Sequence, residues 1–253
     1  LTADKIVEKH SKIAQAFFSD GFVCPITVMS ELKADDYRRQ LEEAEQRFGT
    51  CDEFLQGLRR YPNLLLPFVD EITRKPEITD VVAQILGPNL LVLDVPFFIK
   101  EPKSKSFVSW HQDLHYWGLE TEDEVTAWVA LSPATRESGC MRFLAGSHKQ
   151  RVDHHDTFHS DNLLTRGQEV LTKVDECKAT DGELSAGQMS IHHGHIFHAS
   201  HPNNTNERRI GIAIRYIPTH ARQLPDGNMS AMLVRGEDTY HNFHLCFPPS
   251  GVM

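Results

Sequence analysis

The chain has 253 residues, a formal net charge of −9, 40 % hydrophobic residues and 24 % charged residues. These values are ordinary for a globular protein with a substantial core. The acidic balance argues against a protein that binds nucleic acid through phosphate contacts, although a local basic pocket stays compatible with it. No apolar run approaches the roughly 18 residues of a membrane-spanning helix, so no membrane partner is expected.

The cysteines do not form a recognisable framework. They are Cys24, Cys51, Cys140, Cys177 and Cys246. An odd number without a CxxC pair excludes a disulfide framework and a thiolate zinc site, and free thiols suit a reducing compartment. The first residues, Leu-Thr-Ala-Asp-Lys, lack the apolar stretch of a signal peptide. We therefore expect a cytoplasmic protein.

The part of the chain before residue 90 is predicted to be mostly helical. Thr2 can cap a first helix that stops at Gly21, and Ser30 can cap a second helix that stops at Gly49. Further predicted elements are a short strand over Phe22–Val28 and helices over Leu64–Arg74 and Pro76–Leu86.

From residue 90 onward, short strands alternate with turns rich in Pro, Gly, Ser and Asn. The predicted strands are Leu90–Lys100, Val108–Leu114, Glu124–Leu131, Gly139–Leu144, Glu183–Ser185, Met189–His192 and Ile210–Ile217. Residues 145–182 are polar and irregular, and a loop of that length is usually a lid or a binding loop. We predict a mainly β protein, an antiparallel barrel or sandwich under a helical N-terminal layer, in one domain over residues 1–253.

A possible metal site lies in the predicted strand that contains Trp110-His111-Gln112-Asp113. Side chains at i and i+2 of a strand point to the same face, so His111 and Asp113 could reach one point inside a barrel. A second histidine on a facing strand would complete the two-histidine, one-carboxylate triad of non-haem Fe(II) oxygenases. The HxD pattern alone is weak, because a hydrogen-bonded or surface pair has the same sequence.

The second part of the pattern is His198-Ala-Ser-His-Pro-Asn, followed by Arg209 at the start of the strand IGIAIRY. A histidine on one strand and an arginine on the next suit a dicarboxylate cosubstrate. One end of such a molecule chelates the metal, and the other carboxylate meets the guanidinium.

Four segments, in order, resemble the phytanoyl-CoA dioxygenase family: HQDLHYWGLE, AWVALSP, SGCMRFLAGSHK and HHGHIFHASHPNNTNERRIGIAIRY. The resemblance covers roughly residues 90–220. It implies a double-stranded β-helix (jelly-roll, cupin-like) core over 90–220, between a mostly helical part at 1–89 and a C-terminal segment at 221–253. It also implies a hydroxylase that uses Fe(II), 2-oxoglutarate and O₂ and releases succinate and CO₂.

The resemblance also implies roles for individual residues. By position, the Fe(II) ligands are His111, Asp113 and His198, the residues at the distal carboxylate of 2-oxoglutarate are Arg209 and Ser200, and the residues near the cosubstrate are Gln112 and Trp128. Halogenating relatives carry a small residue at the position of Asp113, so the carboxylate favours hydroxylation.

Several of the 15 histidines compete for the distal ligand position. The pattern H-x-S-x-x-N after Gly194 favours His198, with His195 as the second candidate. His192 or His193 is a candidate for an inward-facing pocket residue. A polar strand face or a solvated loop is expected for the others, including the loop residues His154, His155 and His159.

Three stretches are expected to face the substrate, with an anion bound by Arg142, Arg215 or Arg235. The stretches are His115-Tyr116-Trp117, Arg142 in CMRFLAG, and the C-terminal segment that contains Arg235. Tyr116 or Trp117 could contact an ammonium or an apolar group. The alternative is that these aromatic residues lie at the edge of the core and the arginines form surface salt bridges.

The tail AMLVRGEDTYHNF resembles bacterial members that hydroxylate aminophosphonates such as 2-aminoethylphosphonate. We therefore expect a small anionic or zwitterionic substrate in phosphonate metabolism. Acyl-CoA thioesters, amino acids and ectoine-like solutes are alternatives, although no extended Lys/Arg cluster suits a CoA diphosphate. The sequence does not indicate the oligomeric state.

Two other classes of function are compatible with a jelly-roll fold. One is a non-catalytic barrel that binds a small ligand, and an intact triad together with Arg209 argues against it. The other is a Zn- or Mn-dependent isomerase or hydrolase on a cupin-like barrel, which gives Arg209 and Ser200 no role. Dependence on 2-oxoglutarate separates both from an oxygenase.

Overall fold

The computed structural model describes residues 11–248, and its N-terminal part is a layer of helices. These are α1 Lys12–Asp20, α2 Glu31–Phe48, α3 Asp52–Arg60, α4 Pro62–Leu65, α5 Pro67–Thr73 and α6 Pro76–Leu86. None of the helices within 11–248 is both long and apolar enough to cross a membrane.

The helix boundaries follow local capping chemistry. The hydroxyl of Ser30 accepts a hydrogen bond from the backbone N–H of Lys33, which starts α2. Gly21, with φ of 86°, ends α1 in the left-handed conformation that glycine adopts readily. Both boundaries match the prediction, whereas the predicted cap Thr2 lies outside the described residues. The predicted helix over 64–74 is wrong as one element, because Pro67 starts a new helix there.

One short strand lies between α1 and α2, and the other strands follow α6. They are β1 Phe22–Thr27, β2 Leu90–Asp94, β3 Phe97–Lys100, β4 Val108–His111, β5 Val125–Ala130, β6 Met141–Leu144, β7 His154–Asp156, β8 Gln168–Val170, β9 Thr180–Gly182, β10 Gln188–His192, β11 Phe197–Ser200, β12 Arg209–Pro218, β13 Ser230–Arg235 and β14 His244–Leu245.

Some predicted strands need correction. Leu90–Lys100 is two strands, because the chain breaks at Pro96, which has no N–H to offer a neighbour. The predicted strand over 108–114 ends at His111 and continues as a 3₁₀ helix over Asp113–Tyr116. The predicted strand at 183–185 is misplaced, because the strand in this region, β9, covers Thr180–Gly182. Residues 145–182 are not wholly irregular, because β7 and β8 pair there.

Two sheets form the β core. The larger sheet has the strand order β1-β10-β5-β12-β2-β13-β14, with β3 also paired to β12, and the smaller sheet has the order β4-β11-β6-β9. All pairings in these two sheets are antiparallel except that of β13 with β14.

Strict alternation along β12 divides the larger sheet into two faces. Ile210, Ile212, Ile214 and Tyr216 belong to the apolar core that the N-terminal helices cover. The residues between them point the opposite way, because successive side chains of a strand alternate. Each fully buried aliphatic side chain contributes about 1.5–3 kcal/mol, so this outer core fixes the register of β12. The inner face, which carries Arg209 and Arg215, is left to line a cavity.

Candidate active site

Three side chains that could hold a metal ion meet beside the smaller sheet. His111 ends β4, and its antiparallel partner across the ladder is His198 on β11. Asp113 follows Gln112, which has extended backbone angles, so its side chain lies on the same side as that of His111. One donor atom from each residue lies within 4.8 Å of the others, and all three residues are buried.

Backbone carbonyls orient both imidazoles. His111 Nδ1 donates to the carbonyl of Ser109 at 2.9 Å, and His198 Nδ1 donates to the carbonyl of Ile196 at 3.1 Å. A carbonyl can only accept, so the Nδ1 atoms carry the protons and the Nε2 lone pairs face the third residue. His111 Nε2 lies 3.2 Å from Asp113 Oδ1. Burial, with the nearby His111, holds the pKa of His198 well below its usual range, which keeps this imidazole neutral.

Asp113 is charged despite its burial. Burial alone would raise its pKa, but the nearby guanidinium of Arg215 lowers it well below the usual range. Arg215 Nη2 lies 4.0 Å from Asp113 Oδ1. Two imidazoles and one carboxylate that leave room for other ligands form the donor set of non-haem Fe(II) oxygenases. The donors present here therefore fit Fe(II).

One cavity joins this cluster to the inner face of the larger sheet. It is lined by Phe98, Val108, His111, Asp113, Thr126, Trp128, Met141, His192, His198, Ala199, Ser200, Arg209, Ala213 and Arg215.

Arg209 is the most unusual residue of this cavity. Its side chain is 1 % exposed, and among residues 11–248 neither Nε nor Nη2 has a hydrogen-bond partner. Burial lowers its pKa to about 10, so the guanidinium stays positive near neutral pH. A buried cation is costly unless it is paired. Its position on the cavity wall fits a bound carboxylate as the missing partner.

The neighbours of Arg209 shape this end of the cavity. Its guanidinium lies 5.2 Å from the ring centre of Trp128, a cation–π contact. A Cβ on Gly211 would lie 1.9 Å from Trp128 Cζ2, so glycine is required for the indole to lie flat on β12. Ser200 also lines the cavity, and its hydroxyl accepts a hydrogen bond from Lys100 Nζ at 2.6 Å.

Lys100, which the sequence did not single out, is fully buried beside Arg209. The two residues are antiparallel partners on β3 and β12. Burial and the positive charge of Arg209 lower the pKa of Lys100 to about 6. Its Nζ also donates to the carbonyl of His201. No pattern in FFIK marks this lysine, because its burial results from pairing with a strand that is distant in sequence.

Gln112, expected near the cosubstrate, holds the backbone together instead. Its Nε2 donates to the carbonyls of Gln150 and His195, both at 2.7 Å. Its backbone N–H donates to His154 Nε2 at 2.9 Å. These bonds fasten the β7–β8 hairpin against the HxD segment, and the side chain is not part of the cavity wall.

The residues predicted to face the substrate are distributed differently. Arg142 pairs with Glu176 at 2.6 Å and Asp181 at 3.1 Å, and Arg235 pairs with Asp80; neither lines the cavity. Trp117 packs under the guanidinium of Arg215 at 4.6 Å. Outside the cavity wall, Tyr116 packs on His154 and under Arg166, and His115 is exposed beside them. Of the three arginines considered, the structure brings only Arg215 to the metal-binding cluster.

The other histidines considered for the site occupy different positions in the structure. His195 lies 4.0 Å from Glu122 and is not part of the cluster around His111. His193 packs near His148 and Phe17. His192 is the inward-facing residue of the pair, with its ring centre 4.8 Å from that of His198. Burial lowers its pKa to about 4, so the imidazole is neutral.

Comparison with known proteins identifies relatives of this architecture. A family model for phytanoyl-CoA dioxygenase (PhyH) matches residues 17–211. A protein from Stutzerimonas stutzeri described as a probable alpha-ketoglutarate-dependent hypophosphite dioxygenase is 28 % identical over 206 residues, which cover 77 % of this chain and 70 % of that protein.

Solved structures show the same fold. Apo ThoJ, a non-haem monooxygenase, aligns with a TM-score of 0.85 and 33 % identity, over 94 % of this chain and 88 % of that one. CytC3 with Fe(II) and alpha-ketoglutarate aligns with a TM-score of 0.70 and 19 % identity, over 93 % and 92 % of the two chains. The predicted jelly-roll core with a helical layer is confirmed.

Proposed function

This chain belongs to the phytanoyl-CoA dioxygenase family and is an Fe(II)- and 2-oxoglutarate-dependent dioxygenase, and from that premise we propose that it hydroxylates a small anionic or zwitterionic molecule. His111, Asp113 and His198 are the metal ligands in this proposal. One observation carries it: the buried, unpaired guanidinium of Arg209 shares a cavity with these three side chains.

The protein's part in the reaction is to position the cosubstrate and the substrate and to shield the site from water. When bound, Fe(II) supplies O₂ activation coupled to decarboxylation of 2-oxoglutarate, which yields succinate, CO₂ and the hydroxylated product. Arg209 pairs with the distal carboxylate of 2-oxoglutarate, and Ser200 adds a hydroxyl at the same end. Ala213, a small residue on the inner face of β12, lines the cavity and leaves room for the cosubstrate between Arg209 and the metal ligands.

We propose an aminophosphonate such as 2-aminoethylphosphonate as the substrate. The relative from Stutzerimonas stutzeri is named for hypophosphite, a small phosphorus oxyanion. Arg215 provides a second guanidinium in the cavity, already paired with Asp94 at 2.5 Å. Charges of Fe(II), 2-oxoglutarate, Asp113, Asp94, Arg209 and Arg215 cancel, so a zwitterion enters without adding net charge to a buried site.

The alternatives have less support. A Zn or Mn isomerase, or a barrel that only binds a ligand, leaves Arg209 without an anion to meet. An acyl-CoA substrate would need a cationic surface for its diphosphate. The described arginines outside the cavity, such as Arg142, Arg208 and Arg235, are engaged by acidic partners.

The test is turnover with defined components. The Fe(II)-loaded protein is incubated in air with 2-oxoglutarate and 2-aminoethylphosphonate, and succinate and a product with one added oxygen atom are followed by mass spectrometry. We expect both, in equal amounts, and neither when 2-oxoglutarate is omitted. Product without 2-oxoglutarate would contradict the reaction type. No stimulation of succinate formation by 2-aminoethylphosphonate or its N-methylated forms would contradict the substrate.

A further inference from the structure

Polar side chains form a row across the inner face of the larger sheet. His192 on β10 is the ladder partner of Thr126 on β5, Thr126 is the partner of Arg215 on β12, and Arg215 is the partner of Asp94 on β2. Such partners lie on the same face about 5 Å apart. His192, Thr126 and Arg215 line the cavity with the proposed metal ligands. We name these four residues the polar row.

Two members of the polar row have unmet hydrogen-bonding capacity. His192 is 1 % exposed, and neither of its ring nitrogens has a hydrogen-bond partner in the described chain. The buried Nε of Arg215 also has none within residues 11–248. Trp117 and Asp94 fix the Arg215 guanidinium, at 4.6 Å and 2.5 Å respectively. Buried polar groups without partners are rare and costly, so a bound molecule that satisfies both is expected.

The donors and acceptors of the polar row define the ligand chemistry. Arg215 can only donate, and a neutral imidazole has one donor and one acceptor. The hydroxyl of Thr126 donates to Glu124 Oε1 at 2.6 Å, which leaves its oxygen to accept. A ligand that satisfies the polar row therefore has acceptor oxygens and an O–H group. A phosphonate monoanion has both, whereas a sulfonate has no O–H.

We infer that the polar row forms the substrate subsite, in which Arg215 and His192 hold a protonated oxyanion beside the metal and Asp94 holds the Arg215 guanidinium in place. The inference rests on the proposed function and deepens it. It assigns substrate selection to residues on β2, β5, β10 and β12, and it selects a phosphonate over a sulfonate of the same length.

The test uses the protein loaded anaerobically with Fe(II) and 2-oxoglutarate, whose visible charge-transfer band responds when substrate binds beside the metal. Titration with 2-aminoethylphosphonate is expected to change the band and saturate, and taurine is expected to bind at least about 10-fold more weakly. His192→Phe should raise the Kd for 2-aminoethylphosphonate about 10-fold and Arg215→Lys about 100-fold, with the affinity for 2-oxoglutarate unchanged. Arg235→Ala is the matched control outside the cavity.

The titration supports or overturns the subsite according to the result. The subsite is overturned if 2-aminoethylphosphonate leaves the wild-type band unchanged. It is also overturned if 2-aminoethylphosphonate binds no more tightly than taurine and its Kd is the same in the wild type and in both variants. If Arg215→Lys disturbs the metal site, His192→Phe decides, because His192 makes no hydrogen bond in the described residues that its replacement could break. Failure of the proposed function looks different, since the protein would then show no band with Fe(II) and 2-oxoglutarate at all, and the subsite would fall with it.

Discussion

Arg209 and Arg215 lie on the same inner face of β12, about 20 Å apart along the strand, and both line one cavity. Arg209 has no acidic partner within residues 11–248, and burial lowers its pKa to about 10. Arg215 has Asp94 at 2.5 Å and Asp113 at 4.0 Å. Burial alone would lower the pKa of Arg215, but these carboxylates raise it.

The difference teaches how the two charges are used. The protein compensates the charge of Arg215 itself, so this arginine contributes to the folded state whether or not a ligand is present. The charge of Arg209 is left for a ligand to compensate. A single strand thus carries one arginine whose charge the protein itself compensates and one whose charge we propose the cosubstrate compensates.

The largest effect is expected at the proposed metal ligands, which line the same cavity as the two arginines. Asp113→Ala removes the anionic donor and should abolish hydroxylation and iron binding. Iron content and succinate formation measure this, and the exposed Asp156→Ala serves as a control for loss of a carboxylate. Normal turnover of the variant at low 2-oxoglutarate would exclude Asp113 as a ligand.

Arg209→Met tests the ligand-compensated end. Loss of a charge-assisted hydrogen bond should weaken 2-oxoglutarate binding about 10- to 150-fold, while iron binding stays unchanged. Stability of the ligand-free protein should hold or rise, because an unpaired buried charge is removed. The neighbouring Arg208→Ala, which breaks ion pairs with Glu45 and Glu101, is the control. Equal 2-oxoglutarate affinity in the wild type and in Arg209→Met would contradict the proposal that the cosubstrate compensates the charge of Arg209.

Arg215→Met tests the protein-compensated end and should behave in the opposite way. It leaves Asp94 and Asp113 without their cation, so we expect the free energy of unfolding of the ligand-free protein to fall by about 1–3 kcal/mol. Urea denaturation measures the change. A variant as stable as Arg209→Met would show that the two arginines do not differ in this respect.

Gly211→Ala sharpens the comparison by filling the space beside Arg209. The new methyl group would overlap Trp128 Cζ2, so the indole must move toward the cavity. We expect the KM for 2-oxoglutarate to rise about 10-fold and the stability to fall by about 1–3 kcal/mol. Trp128→Phe lacks that atom and should restore part of both losses in the double variant. Additive losses would contradict the steric explanation.

The smallest effect is expected from Arg235→Ala. This arginine is partly exposed and pairs with Asp80 away from the cavity. Exposed ion pairs contribute about 0–1 kcal/mol, so the unfolding free energy should change by no more than that and kcat/KM should stay the same. A large loss of activity would return Arg235 to the substrate site that its sequence context suggested.

Local signals in the sequence predicted much of the fold. The caps at Ser30 and Gly21 and the alternation in IGIAIRY act through neighbouring residues, so they are visible without tertiary context. Strand β11 was missed, because FHAS is short and gains its conformation from β4 and β6 on either side. The division of the chain into parts at residues 89 and 220 stays a prediction.

The residues of the candidate site also fall into those that the sequence predicts and those that only the tertiary structure reveals. His111, Asp113, His198 and Arg209 were predicted because their spacing follows strand geometry and a family pattern, and the structure brings them to one cavity. Both Arg209 and Arg215 belong to β12, and their even spacing puts them on one face of that strand. The positions of Thr126 and Lys100 beside β12 follow from which strands become neighbours in the sheet. The position of the Arg142 side chain outside the cavity follows from its ion pairs with Glu176 and Asp181. Those facts are set by tertiary structure alone.

The central claim is tested most directly by an anaerobic titration of the purified protein with Fe(II) and then 2-oxoglutarate, followed by visible absorption. We expect a charge-transfer band for the wild type, no band for Asp113→Ala or His198→Ala, and a band that needs about 100-fold more 2-oxoglutarate for Arg209→Met. Iron binding without any band in the wild type would contradict the account, and a metal-dependent isomerase or a ligand-binding barrel would then explain the site better.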